Sequence, residues 1–316
     1  MSETQTIRQL IEWGARQFEG GGLAFRHGTD NALDESAALV LHALHIGYDQ
    51  PDSILDTVPP EAEAAHARAL IAQRIETRKP AAYLIGEAWF AGLPFTVDER
   101  VLVPRSPIAE LIEAHFSPWI NTDRVESILD LCTGSGCIGI ACAVMFPAAS
   151  VTATDLSPGA LAVAAGNVRR HGLEERVHLC RADLFDGLAP ARYDIIVSNP
   201  PYVPQAEYDA LAAEFHHEPG IGLAAGDDGL DLVVRILRDA LEYLKPGGIL
   251  VVEVGHNWEI VNQCYPSVPF LWLDFEFGGE GVFLLDYAQL VEYRAVFERV
   301  AAQRSGAVVA QREKDV

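Results

Sequence analysis

Tyr193-Asp194-Ile195-Ile196-Val197-Ser198-Asn199-Pro200-Pro201-Tyr202 runs from β-forming apolar residues into two consecutive prolines. The apolar part reads as a buried strand of a parallel sheet. The prolines end it abruptly, because each fixes φ, lacks an N–H and forces the residue before it into extended backbone. Carbonyls at this exit are left without ladder partners. In an open α/β sheet, ligands bind beyond the carboxyl ends of the strands, where a ligand's amino group can supply the missing donor. The side-chain amide of Asn199 offers a second acceptor, and the ring of Tyr202 is able to stack over a planar NH2 group. The plainer alternative for these four residues is a rigid strand exit and nothing more.

A cradle of that kind suits one type of chemistry. The lone pair of a carboxamide or aromatic NH2 is delocalised, so a general base alone does not make it attack. Acceptors that hold both N–H bonds in plane aim the lone pair out of it at an electrophile, through positioning and preorganised dipoles. Methyl transfer from a sulfonium needs little more.

Strand and helix signals alternate on both sides of this stretch, the mark of an α/β fold with a doubly wound, mostly parallel sheet. Upstream lie Ser127-Ile128-Leu129-Asp130-Leu131, then residues 151–154 ending on Asp155, then residues 177–180 leading into Arg181-Ala182-Asp183-Leu184. Downstream, residues 249–254 follow the turn Lys245-Pro246-Gly247-Gly248, and residues 270–275 and 282–285 complete seven strands.

After the first of these strands comes Cys132-Thr133-Gly134-Ser135-Gly136-Cys137-Ile138-Gly139. It fits G-x-G-x-x-G, and Asp155 ends the next strand where an acid binds ribose hydroxyls, a pattern that alone suits a nicotinamide dinucleotide. Asp130 before the loop points instead to a nucleoside approached without a pyrophosphate. Asp183 can accept from an adenine amino group, with Leu184 or Phe185 against the ring. Adenine and ribose are common to both cofactor types, so the discrimination comes from the strand exit. A dehydrogenase needs a proton relay beside the hydride acceptor, and residues 198–205 carry none. The cofactor expected is therefore S-adenosylmethionine.

Residues 1–82 read as a helical domain. Ile7, Leu10, Ile11, Gly14 and Phe18 recur at helical spacing up to Gly20-Gly21-Gly22. Asp34 is the expected cap of a second helix, with Ala37, Ala38, Leu41 and Leu44 inward, and Pro59-Pro60-Glu61 starts a third that closes at Lys79-Pro80. No titratable constellation stands out here, which leaves packing or partner recognition as the role. Trp89-Phe90 and Phe95-Thr96-Val97 flank Ala91-Gly92-Leu93-Pro94 as a β-hairpin, the core of a linker over 83–106. Arg105 is either an anchor for a carboxylate or a surface charge. The sheet domain takes 107–302, and 303–316 reads as a polar, frayed tail.

With 316 residues, 49% of them hydrophobic, the chain is long enough to bury a substantial core. Its net charge of −22 argues against a phosphate-binding surface, so stable nucleic-acid binding is not expected; a basic protein or cationic ligand suits it, as does simple solubility. Neither a membrane-spanning run nor a signal-peptide pattern appears, so a cytoplasmic protein is expected. Five cysteines without a C-x-x-C pair speak against structural zinc or a disulfide framework and for small buried filler. His216-His217 beside Glu218 is no metal site on this reading, because adjacent side chains seldom converge.

The glycine loop together with Asn199-Pro200-Pro201-Tyr202 resembles the class I methyltransferases that modify the side-chain amide of glutamine in proteins. It also resembles the amino-group DNA methyltransferases that share the four-residue loop. His27-Gly28-Thr29-Asp30-Asn31, Val101-Leu102-Val103-Pro104-Arg105-Ser106-Pro107, His217-Glu218-Pro219 and Gly278-Gly279-Glu280-Gly281-Val282-Phe283 are similar to the ribosomal branch of the glutamine family, and the similarity covers nearly the whole chain. The branch methylates a glutamine of the third protein of the large ribosomal subunit. The resemblance implies a methyltransferase sheet in which Thr133, Gly134, Ser135 and Gly136 wrap the methionine part and Asp155 holds the ribose. Asp183 and Leu184 would border the adenine, and Asn199 with the Pro200 carbonyl would bind the glutamine amide. Cys132 stands where related enzymes often have glycine. The sister branch acts on peptide-chain release factors and differs before the sheet domain, where Ser106 follows Arg105 here. Release factors, or the adenine amino group of DNA, are the alternative substrates, and a non-catalytic cofactor sensor is a third possibility.

Overall fold

The computed structural model describes residues 5–312, and from residue 305 onward its backbone alone. Its centre is a seven-stranded sheet built from β3 (Ser127–Leu131), β4 (Ser150–Asp155), β5 (Val177–Arg181), β6 (Tyr193–Ser198), β7 (Leu244–Glu253), β8 (Leu271–Leu273) and β9 (Val282–Asp286). The strand order is β5-β4-β3-β6-β7-β9-β8, and only β9 runs against the rest. This is the doubly wound, mostly parallel α/β sheet the sequence predicts. The winding reverses between β3 and β6, so the glycine loop after β3 and the Asn-Pro-Pro-Tyr turn after β6 leave the sheet side by side. That is the crevice where ligands of open α/β sheets bind.

Alternation inside the apolar strands divides the core. Ile128, Ile195, Val197, Ile249 and Val251 face one layer, while Leu129, Leu131, Ile196, Leu250 and Val252 face the other. The first layer is covered by α5 (Ile108–Glu113), α6 (Cys137–Met145) and α7 (Pro158–Arg170). The second is covered by α9 (Asp231–Tyr243), α10 (Trp258–Cys264) and α11 (Tyr287–Arg312), with the short α8 (Gln205–Ala210) on the connection between β6 and α9. Each such side chain, fully buried, contributes roughly 1.5–3 kcal/mol of transfer free energy, which is why the strands need no polar face.

A separate apolar cluster holds α1 (Ile7–Gly21), α2 (Ala32–Ala43), α3 (Glu61–Thr77) and α4 (Ala81–Ile85) together. Thr6 and Gln9 cap α1 reciprocally, and Gly22, in left-handed backbone, ends it. The cap of α2 is Asn31, whose side chain accepts from the backbone N–H of Asp34, so Asp34 lies inside the helix. The inner face shifts with it to Ala32, Glu35, Ser36, Leu39, Val40 and Ala43; Ala37, Ala38 and Leu41 are only half-buried. A carboxylate on the buried face disguised the period. Glu35 accepts from the Arg74 Nε at 2.6 Å and from the Ala81 N–H, and Arg74, fully buried, also donates to the Ala24 carbonyl. A titratable cluster thus exists in this region, contrary to expectation.

The hairpin of β1 (Glu87–Phe90) and β2 (Leu93–Thr96) turns on Ala91-Gly92 alone, with Leu93 and Pro94 already in the second strand. Backbone helix in α11 continues to Arg312, across most of the stretch expected to fray. Residues 313–316 lie outside the described residues. Among the described residues no helix is long and apolar enough to cross a membrane.

Candidate active site

A cavity of about 1380 Å³ opens over the reversal point of the sheet. Cys132, Thr133, Gly134, Ser135, Asp155, Asp183 and Leu184 line one end, and Asn199, Pro200, Pro201 and Tyr202 line the other. The chain therefore brings together nearly all the residues singled out by the sequence.

At the first end, Gly134 adopts φ +56 and a Cβ there would meet no atom within 4 Å, so the loop presents bare backbone to the cavity. Gly136 caps α6 from behind with φ +84 and is not on the cavity wall. Asp155 accepts from the N–H groups of Gly134 and Ser157, one on each oxygen, at 2.9 and 2.8 Å. Burial raises its carboxyl, opposed by these bonds. A carboxylate has about four lone-pair sites, more than these N–H groups occupy, so acceptor capacity remains for a ligand hydroxyl. Asp183 takes one bond from the Arg235 guanidinium at 2.9 Å and keeps the rest of its carboxylate at the cavity.

Asp130 was expected beside the cofactor, and the structure puts it beneath the loop. It is fully buried, and one of its oxygens accepts from the Thr133 hydroxyl and the Gly139 N–H while the other has no partner. Burial pushes the carboxyl up to about 7 against those two bonds. Its work is to tie the start of the loop to the start of α6. Cys132 and Leu184 both hold left-handed backbone, φ +60 and +56, at the cavity wall. Non-glycine residues tolerate this at a cost of about 1–2 kcal/mol each, the sort of strain that collects at functional sites.

At the other end, the Asn199 side-chain amide and the Pro200 carbonyl make no hydrogen bond to any described residue. Both are free to accept. Tyr202, by contrast, is tightly held. Its hydroxyl donates to Glu253, its carbonyl accepts from the Asn257 side chain, and its ring lies against Gly255. The ring is thus a fixed wall rather than a lid that swings over an incoming group.

Sequence reading did not single out Glu253. Its signal was present, since it closes an apolar strand just as Asp155 closes its own. Arg105 settles on its first alternative, with an anchor partner inside the chain: both terminal nitrogens bind Glu218, which is buried and also accepts from the Val103 N–H. The His27 ring lies tilted against that of Phe215, centroids 4.4 Å apart, and burial, with Arg105 and Arg74 nearby, pushes its pKa down to about 3. The neutral ring stands 3.6 Å from Glu218, too far for a hydrogen bond. Four separated motifs therefore meet around the cavity: the His27 turn, the 101–107 segment, the Glu218 turn, and the 278–283 loop, whose Gly279 and Glu280 reach the rim.

The connection that carries Glu218 also carries Glu214, which sits among Arg78 at 3.2 Å, Arg74 at 3.5 Å and the Ala24 N–H at 3.1 Å. These partners, all from the first four helices and their turns, hold its carboxyl below the usual range even though burial opposes them. His216 and His217 join no metal-binding group; among the described residues there is none. His217 contacts the Thr77 carbonyl instead. All five cysteines are free thiols.

A family model described as the methyltransferase small domain matches residues 114–226, which span β3 to the Glu218 turn. The ribosomal protein uL3 glutamine methyltransferase of Francisella tularensis is 45% identical over 300 residues, covering 95% of this chain and 96% of that one. Its namesake in Xanthomonas campestris is 48% identical over 303 residues, covering 96% and 98%. In Xylella fastidiosa the figures are 47% over 302 residues, with 96% of each chain covered. Similarity at this level extends over nearly the whole length of the chain, and the chain belongs to the family of ribosomal protein uL3 glutamine methyltransferases.

Proposed function

We propose that this chain transfers a methyl group from S-adenosylmethionine to the side-chain amide nitrogen of a glutamine in a basic protein of the large ribosomal subunit, the third, uL3. The observation that carries the reading is the pair of unpartnered acceptors, Asn199 and the Pro200 carbonyl, at the carboxyl end of a central strand and in one cavity with the glycine loop. Two acceptors fixed by a proline-stiffened backbone match the two N–H bonds of a carboxamide, which leaves its lone pair facing across the cavity.

Bound, S-adenosylmethionine would supply an electrophilic methyl group on a sulfonium. The residues at the other end suit it: bare backbone at Gly134 and Ser135 for the methionine part, spare lone pairs on Asp155 for the ribose, and Asp183 with Leu184 for the adenine. No base strong enough to ionise the amide beforehand is required, since positioning does the work and the methylated nitrogen, cationic as the C–N bond forms and the C–S bond breaks, gives its surplus proton to water. Names of the relatives support the ribosomal substrate, as does the acidic chain, whose charge of −22 attracts a cationic protein. The reading puts the protein in the cytoplasm, where large-subunit proteins are made.

The test is incubation with labelled S-adenosylmethionine and purified large-subunit proteins, with mass mapping of the product. One added methyl on a glutamine of uL3 is expected. Asn199→Ala should abolish transfer and leave binding of the methyl donor within about threefold. Label appearing on a release factor or on DNA adenine, with none on ribosomal protein, would refute the substrate; full turnover by Asn199→Ala would refute the cradle.

A further inference from the structure

Glu253 closes β7 one position beyond its last pairing with β6, Ser198 opposite Val252, and so stands at the level where the Asn-Pro-Pro-Tyr turn begins. It is 5% exposed and borders the cavity, and no cation bonds to it. One oxygen accepts from the Tyr202 hydroxyl and the other from the Ser106 hydroxyl. The nearest guanidinium, Arg105, spends both its terminal nitrogens on Glu218. A buried carboxylate held by two hydroxyls is a poor means of stabilising a fold, since well-packed apolar residues of the same volume do at least as well.

Two walls of the slot meet on this side chain. Ser106 belongs to the 101–107 segment, and its oxygen also accepts from the Ile108 N–H at the start of α5. Tyr202 belongs to the turn that carries the two free acceptors. Its carbonyl and ring are fixed by Asn257 and Gly255, so its hydroxyl is the remaining point of control.

We propose that Glu253 is a positioning residue for methyl transfer: through Tyr202 on one oxygen and Ser106 on the other, it sets the separation between the acceptor turn and the 101–107 segment, and with it the slot that admits the substrate amide. Reaction between a held amide and a held methyl group tolerates little displacement, and a shift of about 1 Å can cost 100-fold in rate. The inference rests on the glutamine methyltransferase reading of the site.

The experiment measures kcat and KM for purified uL3 at saturating S-adenosylmethionine in Glu253→Gln, Tyr202→Phe, Ser106→Ala and the pairwise doubles, with donor affinity by calorimetry. Glutamine keeps the shape of the side chain but offers one acceptor in place of two, so one hydroxyl loses its acceptor and faces an N–H donor instead. Expected are a kcat lowered about 10- to 100-fold, donor affinity within about twofold, and a double Glu253→Gln/Tyr202→Phe no slower than Glu253→Gln alone. A Glu253→Gln enzyme with kcat within about twofold of the parent overturns the role, and so do losses that multiply in the double variant. Should Glu253→Gln not fold, the Ser106→Ala/Tyr202→Phe pair decides: losses that fail to multiply support a shared carboxylate, and losses that multiply overturn it. Failure of the unsubstituted protein to methylate any glutamine overturns the functional reading and this inference with it, whereas normal transfer by Glu253→Gln overturns the inference alone.

Discussion

Arg105 donates from both terminal nitrogens to Glu218, Nη1 to Oε1 and Nη2 to Oε2, each at 2.7 Å. The Glu218 side chain has no solvent exposure, while that of Arg105 retains 26%. Fork-on-fork geometry of this kind is specific to arginine. Glu218→Gln leaves the cation without its anion and should cost about 2–3 kcal/mol, somewhat under the loss for a wholly buried pair because water still reaches Arg105. Arg105→Lys should fall short of the parent by a similar amount, since one ammonium cannot span both oxygens. Denaturant midpoints check both; a Glu218→Gln protein as stable as the parent would mean that the bridge is incidental.

Gly255 has φ +52, and a Cβ on it would come within 2.6 Å of Cε2 of Tyr202. Gly255→Ala combines left-handed strain with a collision and should lose about 2–4 kcal/mol together with most of the kcat. Gly166 offers the control. It lies inside α7 with nothing within 4 Å of an added Cβ, so Gly166→Ala should gain about 0.5–1 kcal/mol and leave turnover unchanged. Thermal melts and rates on the two variants test the contrast, which disappears if Tyr202 has room to move.

Burial pushes the thiols of Cys132, Cys137 and Cys142 upward, that of Cys137 to about 12, and carboxylates near the loop add to the effect. Thiolate is the reactive form, so the cluster around the glycine loop should be inert near neutral pH. Alkylation of the native protein at about pH 7.5 should label residues 132–142 at least about 100-fold more slowly than a free cysteine, with full labelling in denaturant. Rapid loss of activity to a mild oxidant through these residues would contradict this.

Burial also pushes the Glu253 carboxyl up to about 7, against the Ser106 and Tyr202 hydroxyls and the Arg105 charge. An unfolded glutamate releases its proton near about 4.3, so between those values the folded chain binds a proton the unfolded chain has lost. Its contribution to stability is therefore complete below about 4.3 and lost as pH rises through 7. Asp130, pushed up to about 7, acts in the same direction, and His27, pushed down to about 3, acts oppositely as pH falls below about 6.5. Glu253→Gln removes one of these. Its Tm relative to the parent should rise between about pH 5 and about pH 8. A difference flat across that range would show the carboxyl ionised throughout.

The sheet was readable because its strands are short, apolar on both faces and separated by helices, a pattern few other folds share. So were the glycine loop and the Asn-Pro-Pro-Tyr turn, since the residues that make each of them are consecutive in sequence. What escaped the reading depends on pairing across distance. Glu35 with Arg74 is separated by 39 residues and Arg105 with Glu218 by 113. A buried charge looks like a surface charge until its partner is known, and so Glu35 also displaced the apparent inner face of α2. Asp130 was misplaced for a related reason: an acid at a strand end can face outward to a ligand, as Asp155 does, or inward to its own loop.

Glu214 and Glu218 lie four residues apart, yet their cations come from Arg74, Arg78 and Arg105. Grafting that short connection alone into a relative with other specificity would strand two anions in apolar surroundings. A working chimaera has to exchange it together with the helices and the arm that supply the arginines. The connection and the segments that supply its arginines therefore behave as one electrostatic unit, altered without loss only by compensated pairs of replacements.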